Sequence, residues 1–171
     1  MRVVTLVAAM SLGACVAVLP GPGEGQTDGG SRTPDASTAS TLALLKQWSG
    51  CMTLTNFQTA DMAHAWGTLV TSTAKQCQNC HQDGQYGFVA TEDEAAFFSK
   101  ITEHSSFMSM YFSADVANNK VVINTSSFKG ANSTVGHPPF DPVTNQGMTA
   151  LNTFYTATAA NTACEAPKMT D

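Results

Sequence analysis

Cys77-Gln78-Asn79-Cys80-His81 places two thiols three residues apart and an imidazole directly after the second thiol. The residues before it, 56–75, carry apolar side chains at helical spacing, which predicts one amphipathic helix leading into the motif. The apolar stripe of that helix comprises Met62, Ala65, Trp66, Leu69 and Val70. A glycine-containing stretch follows the motif, so a loop is expected there.

The spacing of this motif is typical of covalent haem attachment. Two cysteines three residues apart can add to the two vinyl groups of one porphyrin, and the adjacent histidine then lies over the iron. A structural zinc site would need a second pair of Cys or His at similar spacing, which the sequence lacks. A thiol-redox pair would need a βαβ context. We therefore expect one haem c held by Cys77, Cys80 and His81, with a zinc or thiol-redox domain as the weaker alternative.

The remaining elements are mostly helical. Thr91 and Glu94 have the spacing of a capping box, which predicts a helix from there to about residue 104. Two β-prone runs, 111–112 and 121–123, flank a turn-like sequence and predict a small hairpin. A last helix is expected over 148–160. The sequence thus predicts a mainly α protein with one small hairpin.

An amphipathic helix, the Cys-x-x-Cys-His motif, middle helices, a proline-rich loop and a C-terminal helix together resemble the class I c-type cytochromes, over about residues 50–162. The resemblance implies a cytochrome c-like fold around one covalent haem, with the first and last helices in contact. It also implies a water-poor haem pocket, for which the candidate residues are Trp66, Phe97, Phe98 and Phe140.

In that family the second axial ligand comes from the loop before the C-terminal helix, usually a methionine in a Gly-Met-Pro-x-Phe stretch. Here the corresponding residues read Gly136-His137-Pro138-Pro139-Phe140, with histidine in place of methionine. We therefore expect His137 as the distal iron ligand, with Met148 as the alternative. The other candidates are expected to serve in packing or at the surface, namely Met108, Met110, His64 and His104.

The N-terminus has the features of an export signal. Residues 3–12 form an apolar stretch too short to span a membrane, and Leu12-Gly13-Ala14-Cys15 resembles a bacterial lipobox. We expect a signal peptide over 1–14, lipid attachment at Cys15, a flexible tether over 15–41 and the cytochrome domain over 42–171. An ordinary signal peptide is the alternative, and both predict export to the periplasm or cell envelope.

Two cysteines remain after these assignments, Cys51 before the first predicted helix and Cys164 after the last. The resemblance implies that those two helices touch, so a disulfide between Cys51 and Cys164 is expected, because free thiols are rare outside the cytoplasm.

The leading expectation for function is a carrier of single electrons between redox protein partners, rather than an enzyme. The alternative is a haem module that binds a small gas because its iron lacks a sixth protein ligand. Net charge is −5, which does not suggest nucleic-acid binding. The membrane is expected as a partner only through the lipid anchor at Cys15.

Overall fold

A computed structural model describes residues 36–71, 74–128 and 145–171. Several expectations fall outside these ranges, namely the signal peptide, lipidation of Cys15, the tether up to residue 35, and the loop that carries His137 and Phe140. The described residues belong to one compact unit. Their helices and strands follow in chain order.

The described residues form seven α-helices and one two-stranded antiparallel sheet, so the chain is mainly α. The helices are α1 (Ala36–Cys51), α2 (Leu54–Thr59), α3 (Met62–Gly67), α4 (Gln78–His81), α5 (Glu94–Glu103), α6 (Ser105–Tyr111) and α7 (Gln146–Ala159). The strands are β1 (Phe112–Asp115) and β2 (Lys120–Ile123). Helix α1 begins within the segment 15–41.

The single helix predicted over residues 56–75 is wrong. Asp61 has a left-handed backbone, with φ of 57°, and this separates α2 from α3. Helix α3 ends at Gly67, where a Cβ atom would lie 2.6 Å from the Glu92 side chain. Of the predicted stripe, Val70 is 54% exposed, whereas the other four residues are buried. The chain after α3 forms an antiparallel bridge between Val70 and Gln76.

Polar side chains at the helix N-termini explain where α5 and α7 begin. Asp93 accepts a hydrogen bond from the Ala96 amide at 3.0 Å, so Asp93 and not Thr91 caps α5. Thr91 instead accepts from the Asp93 amide. Asn145 caps α7 by accepting from the Met148 amide at 2.8 Å. The predicted last helix is confirmed within two residues at its start.

The predicted hairpin is also confirmed. Strands β1 and β2 pair in the register Phe112 with Ile123 and Asp115 with Lys120. A 3-10 turn connects them, and Asn119 takes the left-handed conformation at its end, with φ of 49°. Asparagine tolerates this backbone better than most residues, which fits the turn predicted there.

The core lies where α3, α5, α6 and α7 meet, and α1 packs against the hairpin. Its largest fully buried side chains are Trp66, Tyr111, Phe57, Phe97, Phe112 and Phe154. Neighbouring rings meet edge to face, for example Phe57 with Phe97 at 5.3 Å between centroids. Edge-to-face pairs add roughly 0.5–1.5 kcal/mol beyond their buried area, so this cluster fixes how the helices cross.

Residues 160–171, the C-terminal strap, run across α1 and the start of α6. Cys51 and Cys164 lie at disulfide distance, the pairing expected from the sequence. The buried Ser49 hydroxyl accepts hydrogen bonds from the Lys168 and Met169 amides, at 2.9 and 3.1 Å. Met169 itself is 2% exposed and belongs to the core. The strap is therefore a part of the packed domain.

Candidate cofactor-attachment site

Helix α4 contains most of the Cys-x-x-Cys-His motif. The Cys77 amide donates to the Leu69 carbonyl at 2.9 Å, so the motif starts directly after the Val70–Gln76 bridge. Cys77 already has helical backbone angles, φ of −59° and ψ of −39°. Residues three apart on a helix lie on the same side, so the short helix brings the Cys77 and Cys80 side chains to one side.

The two thiols of the motif differ in environment. Cys77 is buried and Cys80 is exposed, and in the described part of the chain both are free of disulfide bonds. Burial raises the pKa of the Cys77 thiol from 9.0 to about 11. Catalytic thiols of Cys-x-x-Cys oxidoreductases have a lowered pKa, because the thiolate is the reactive form. The raised pKa of Cys77 is opposite to what a thiol-redox centre requires.

His81 is held in a defined orientation. It is 8% exposed, and its Nδ1 lies 2.9 Å from the Gln85 carbonyl oxygen. A carbonyl oxygen only accepts, so this hydrogen bond requires the proton on Nδ1, and in the neutral imidazole the lone pair is then on Nε2. Histidines that bind metals commonly donate their other ring nitrogen in this way, which fixes the tautomer and the ring orientation.

The turn after the motif has an unusual backbone. Gly84, Tyr86 and Gly87 all have positive φ, of 90°, 60° and 75°. Only Tyr86 pays a steric cost for this conformation, since the two glycines lack a Cβ. Tyr86 is 91% exposed, yet its ring lies 6.1 Å from that of His81.

Aromatic rings connect His81 to the core. Phe88 meets the His81 ring edge to face at 5.1 Å and stacks on Tyr111 at 5.2 Å. Phe88 also lies 5.6 Å from Trp66. The Tyr111 hydroxyl donates to the Val89 carbonyl, and complete burial raises the pKa of this tyrosine well above its usual value. The buried imidazole is thus connected through Phe88 to the aromatic core.

Trp66 occupies the crossing of α3 and α7. A Cβ on Gly147 would lie 2.8 Å from the indole ring, so only glycine lets the two helices approach this closely. Trp66 is fully buried, and among the described residues no acceptor lies within hydrogen-bonding distance of its Nε1. A buried N–H without an acceptor is rare in a protein, and a polar group of a bound molecule would satisfy it.

The other predicted residues lie in different places. Phe97 is buried, and its ring centroid lies 5.7 Å from that of Tyr111. Phe98 is partly buried and packs on Phe57. Met148 is 6% exposed and packs in the core. Met108 is fully buried, and Met110 packs against the core at its edge.

The two remaining histidines of the described chain lie at the surface. The His64 side chain is 64% exposed and lies 3.2 Å from Glu92. The His104 side chain is 46% exposed and lies 3.3 Å from Asp171. Both positions agree with the surface roles expected from the sequence.

Sequence reasoning missed Gln85, Tyr86, Phe88 and Lys100. The two glycines three residues apart after the motif signal a tight turn, and an aromatic residue directly after such a turn is a candidate contact for His81. The contact of the Gln85 carbonyl could not be predicted from residue type, since every residue has a backbone carbonyl. Lys100 lies nineteen positions after His81, so only the fold brings it near.

The motif brings together the donor types that a covalent haem would use. Cys77 lies directly before helix α4, Cys80 and His81 lie on it, the His81 Nδ1 donates to the Gln85 carbonyl, and the Phe88 ring packs against the imidazole. Within the described ranges no three side chains of His, Cys, Asp or Glu are arranged to share a metal ion. In the same ranges no helix is long and apolar enough to cross a membrane.

No protein-family model matches this chain, and the searches of curated proteins and of solved structures found no match either.

Proposed function

We propose that this protein is an exported c-type cytochrome with a cytochrome c-like fold, which carries single electrons on one covalently bound haem. The observation that carries the proposal is the Cys-x-x-Cys-His segment, in which two thiols that form no disulfide with each other precede an imidazole protonated on Nδ1. Haem, when bound, supplies the one-electron chemistry, and no catalytic base or nucleophile is needed.

Each residue of the motif has a separate task. Cys77 and Cys80 would hold the haem through two thioether links, one to each vinyl group. His81 would hold the iron through Nε2, because its Nδ1 proton is engaged by the Gln85 carbonyl. A thiol-redox domain is less well supported, since the raised pKa of Cys77 disfavours the thiolate that it would use. A structural zinc site is less well supported because the sequence lacks a second Cys or His pair at similar spacing.

The packing of the domain supports the haem proposal. Phe88 packs against the His81 ring and connects it to Trp66 and Tyr111 in the core, and its apolar ring would exclude water from one side of the imidazole. Helices α2 and α3, which precede the motif, pack against the C-terminal helix α7. The resemblance to the class I cytochromes implies contact between the helix before the motif and the last helix, so this packing supports the proposal, although two short helices stand in place of the one expected.

The sixth ligand is proposed to be His137, in the Gly136–Phe140 stretch outside the described residues. Met148, the alternative, lies on the core-facing side of α7 with Leu151 and Phe154. That position favours a packing role for Met148 over iron binding. Two histidine ligands would give the iron a lower potential than a histidine and a methionine.

The remaining proposals concern the setting of the domain. The N-terminal sequence supports export, with a lipid anchor at Cys15 that holds the domain to a membrane of the cell envelope. The disulfide-forming pair Cys51 and Cys164 is also typical of an oxidising compartment. The partners are redox proteins, and the 91% exposed Tyr86 lies next to the motif where such proteins would approach.

The test of the proposal is expression together with a haem-attachment system, followed by mass spectrometry of the denatured protein. We expect one haem added to the wild-type chain and none to the Cys77→Ser/Cys80→Ser variant. His81→Ala should retain little or no attached haem, whereas the exposed histidines provide matched controls, so His64→Ala and His104→Ala should bind it normally. A wild-type mass without haem contradicts the proposal.

The ligand and the alternative function are tested on the loaded protein. His137→Ala should convert the ferric iron from low spin to high spin in EPR, whereas Met148→Leu, which conserves volume, should not. The opposite pattern would transfer the ligand role to Met148. Rapid binding of carbon monoxide by the reduced wild-type protein would indicate an open iron site and favour the gas-binding function instead.

A further inference from the structure

The turn after the motif is held in place by two helices that come later in the chain. The Lys100 ammonium, on α5, donates to the Asp83 carbonyl at 2.6 Å. The same ammonium lies 5.5 Å from the centre of the Phe107 ring, on α6. A cation close to an aromatic face is attracted by it, so Phe107 helps to hold Lys100 over the turn.

Gly84 shows how closely the turn approaches α6. Its φ is +90°, and a Cβ at this position would lie 2.5 Å from the Phe107 ring. The turn therefore contacts Phe107 through a residue without a side chain. Lys100 from one helix and Phe107 from the next fix the position of the Asp83–Gly84 backbone.

This backbone leads directly to the imidazole. The Gly84 amide donates to the His81 carbonyl at 3.1 Å, and the next residue supplies the Gln85 carbonyl that accepts from His81 Nδ1 at 2.9 Å. Lys100 binds the Asp83 carbonyl and Gln85 orients His81, so a single residue, Gly84, lies between the two contacts. A hydrogen bond from a charged donor is stronger than a neutral one, so Lys100 holds this unit firmly.

We propose that Lys100 is a positioning residue for His81, acting through the Asp83 carbonyl and the Gln85 carbonyl to fix the orientation of the imidazole. Lys100 touches neither the ring nor the motif cysteines in this account, and its effect passes through the turn. The expected change in the iron's EPR spectrum rests on the proposed haem function. The expected effects on the turn and on the orientation of the His81 ring do not.

The test compares Lys100→Met with Lys100→Arg. Lys100→Met removes the donor and should accelerate hydrogen exchange of the Gly84 amide by about tenfold, the loss of one charge-assisted bond. In the haem-loaded protein it should also change the ferric EPR spectrum. Lys100→Arg keeps the charge and the donors and should restore both measurements toward the wild type. Lys120→Met is the charge-matched control, because Lys120 pairs with Asp115 in the hairpin.

The outcomes separate positioning from a general charge effect. A Lys100→Met variant with wild-type Gly84 exchange and EPR spectrum overturns the proposal, even if its midpoint potential changes. Should that variant fail to fold, Phe107→Leu provides the second test. It removes the aromatic ring but leaves the Lys100–Asp83 bond, and it should shift Gly84 exchange in the same direction by less; unchanged exchange contradicts the account.

The haem-free protein separates this inference from the proposed function. There, the ¹⁵N shifts of the His81 ring report the proton on Nδ1, and we expect Lys100→Met to reduce the population of that tautomer. If wild-type protein never acquires haem but this change is observed, the function fails and the positioning role of Lys100 stands. If haem is attached and the tautomer is unaffected, the positioning role fails alone.

Discussion

The C-terminal strap and the motif segment, residues 76–90, differ in how they are held in place. The strap is fixed by contacts to distant parts of the chain, through the Cys51–Cys164 pair, Ser49 and Ser105. Most hydrogen bonds of the motif segment run within it, such as those from His81 to Gln85 and from Ala90 to His81, while Lys100 and Tyr111 add contacts from later helices.

The difference assigns a separate role to each region. A disulfide that closes a long loop restricts the unfolded chain, and buried hydrogen bonds stabilise the folded one, so both kinds of contact in the strap contribute to stability. Short local bonds with several positive φ angles stabilise little, and backbone strain of this kind clusters at functional sites. We infer that the strap stabilises the domain, whereas the motif segment presents reactive groups. Three predictions can break or sharpen this comparison, in order of decreasing effect.

The largest effect is expected from the Cys51→Ser/Cys164→Ser variant. The pair closes a sequence separation of 113 residues, and the chain-entropy model gives such a cross-link about 4 to 5 kcal/mol. We expect a loss of free energy of unfolding of that order in denaturant titrations. The matched control is Cys77→Ser/Cys80→Ser in the haem-free protein, which should lose far less. Equal losses would remove the distinction between the two regions.

A smaller effect is expected from Ser49→Ala. The Ser49 hydroxyl is fully buried and accepts from the Lys168 and Met169 amides, which would be left without an acceptor. An unsatisfied buried amide costs about 1–3 kcal/mol, and the free energy of unfolding should fall by that order. Ser126→Ala, an exposed serine, should change it little. A neutral Ser49→Ala would mean that the other contacts of the strap hold it in place without the Ser49 hydroxyl.

The smallest effect concerns pH and the last residue. A hydrogen bond from the Ser105 amide, followed by His104, lowers the pKa of the Asp171 side chain. A lowered folded-state pKa contributes stability above the unfolded value, which is lost as the pH falls through the folded-state value. The side chain is 51% exposed, so less than about 1 kcal/mol is expected.

Thermal melts of Asp171→Asn and the wild type should therefore differ at pH 7 and converge as the pH falls through the lowered folded-state pKa of the Asp171 carboxyl. A difference in melting temperature that persists at the lowest pH would show that Asp171→Asn changes stability through something other than the carboxylate charge.

Local patterns in the sequence were sufficient for several elements. The hairpin was predicted from two β-prone runs and the turn at residues 117–119, and α7 from its apolar spacing. Helix α5 was predicted as well, although its cap was not. The predicted helix over 56–75 failed because apolar periodicity does not reveal the left-handed Asp61 or the close approach at Gly67.

The candidate site divides in the same manner. The motif residues follow from sequence spacing alone, since attachment chemistry depends on residue type and separation. The partners of His81 do not, although they lie only four to seven positions further on, because the positive-φ turn that brings Gln85, Tyr86 and Phe88 back to the ring is not visible in residue spacing. Trp66 was expected in the pocket, but its unpaired indole nitrogen and its contact with Gly147 depend on how α3 and α7 cross.

The amino-acid sequence by itself determined the mainly helical class, the hairpin and the five residues that define the motif, because these depend on neighbours within a few positions. Tertiary structure alone decided the orientation of His81, the burial of Cys77 and the seating of the turn beneath Lys100. Those properties arise when side chains far apart in the chain exclude water together, and no local pattern encodes that arrangement.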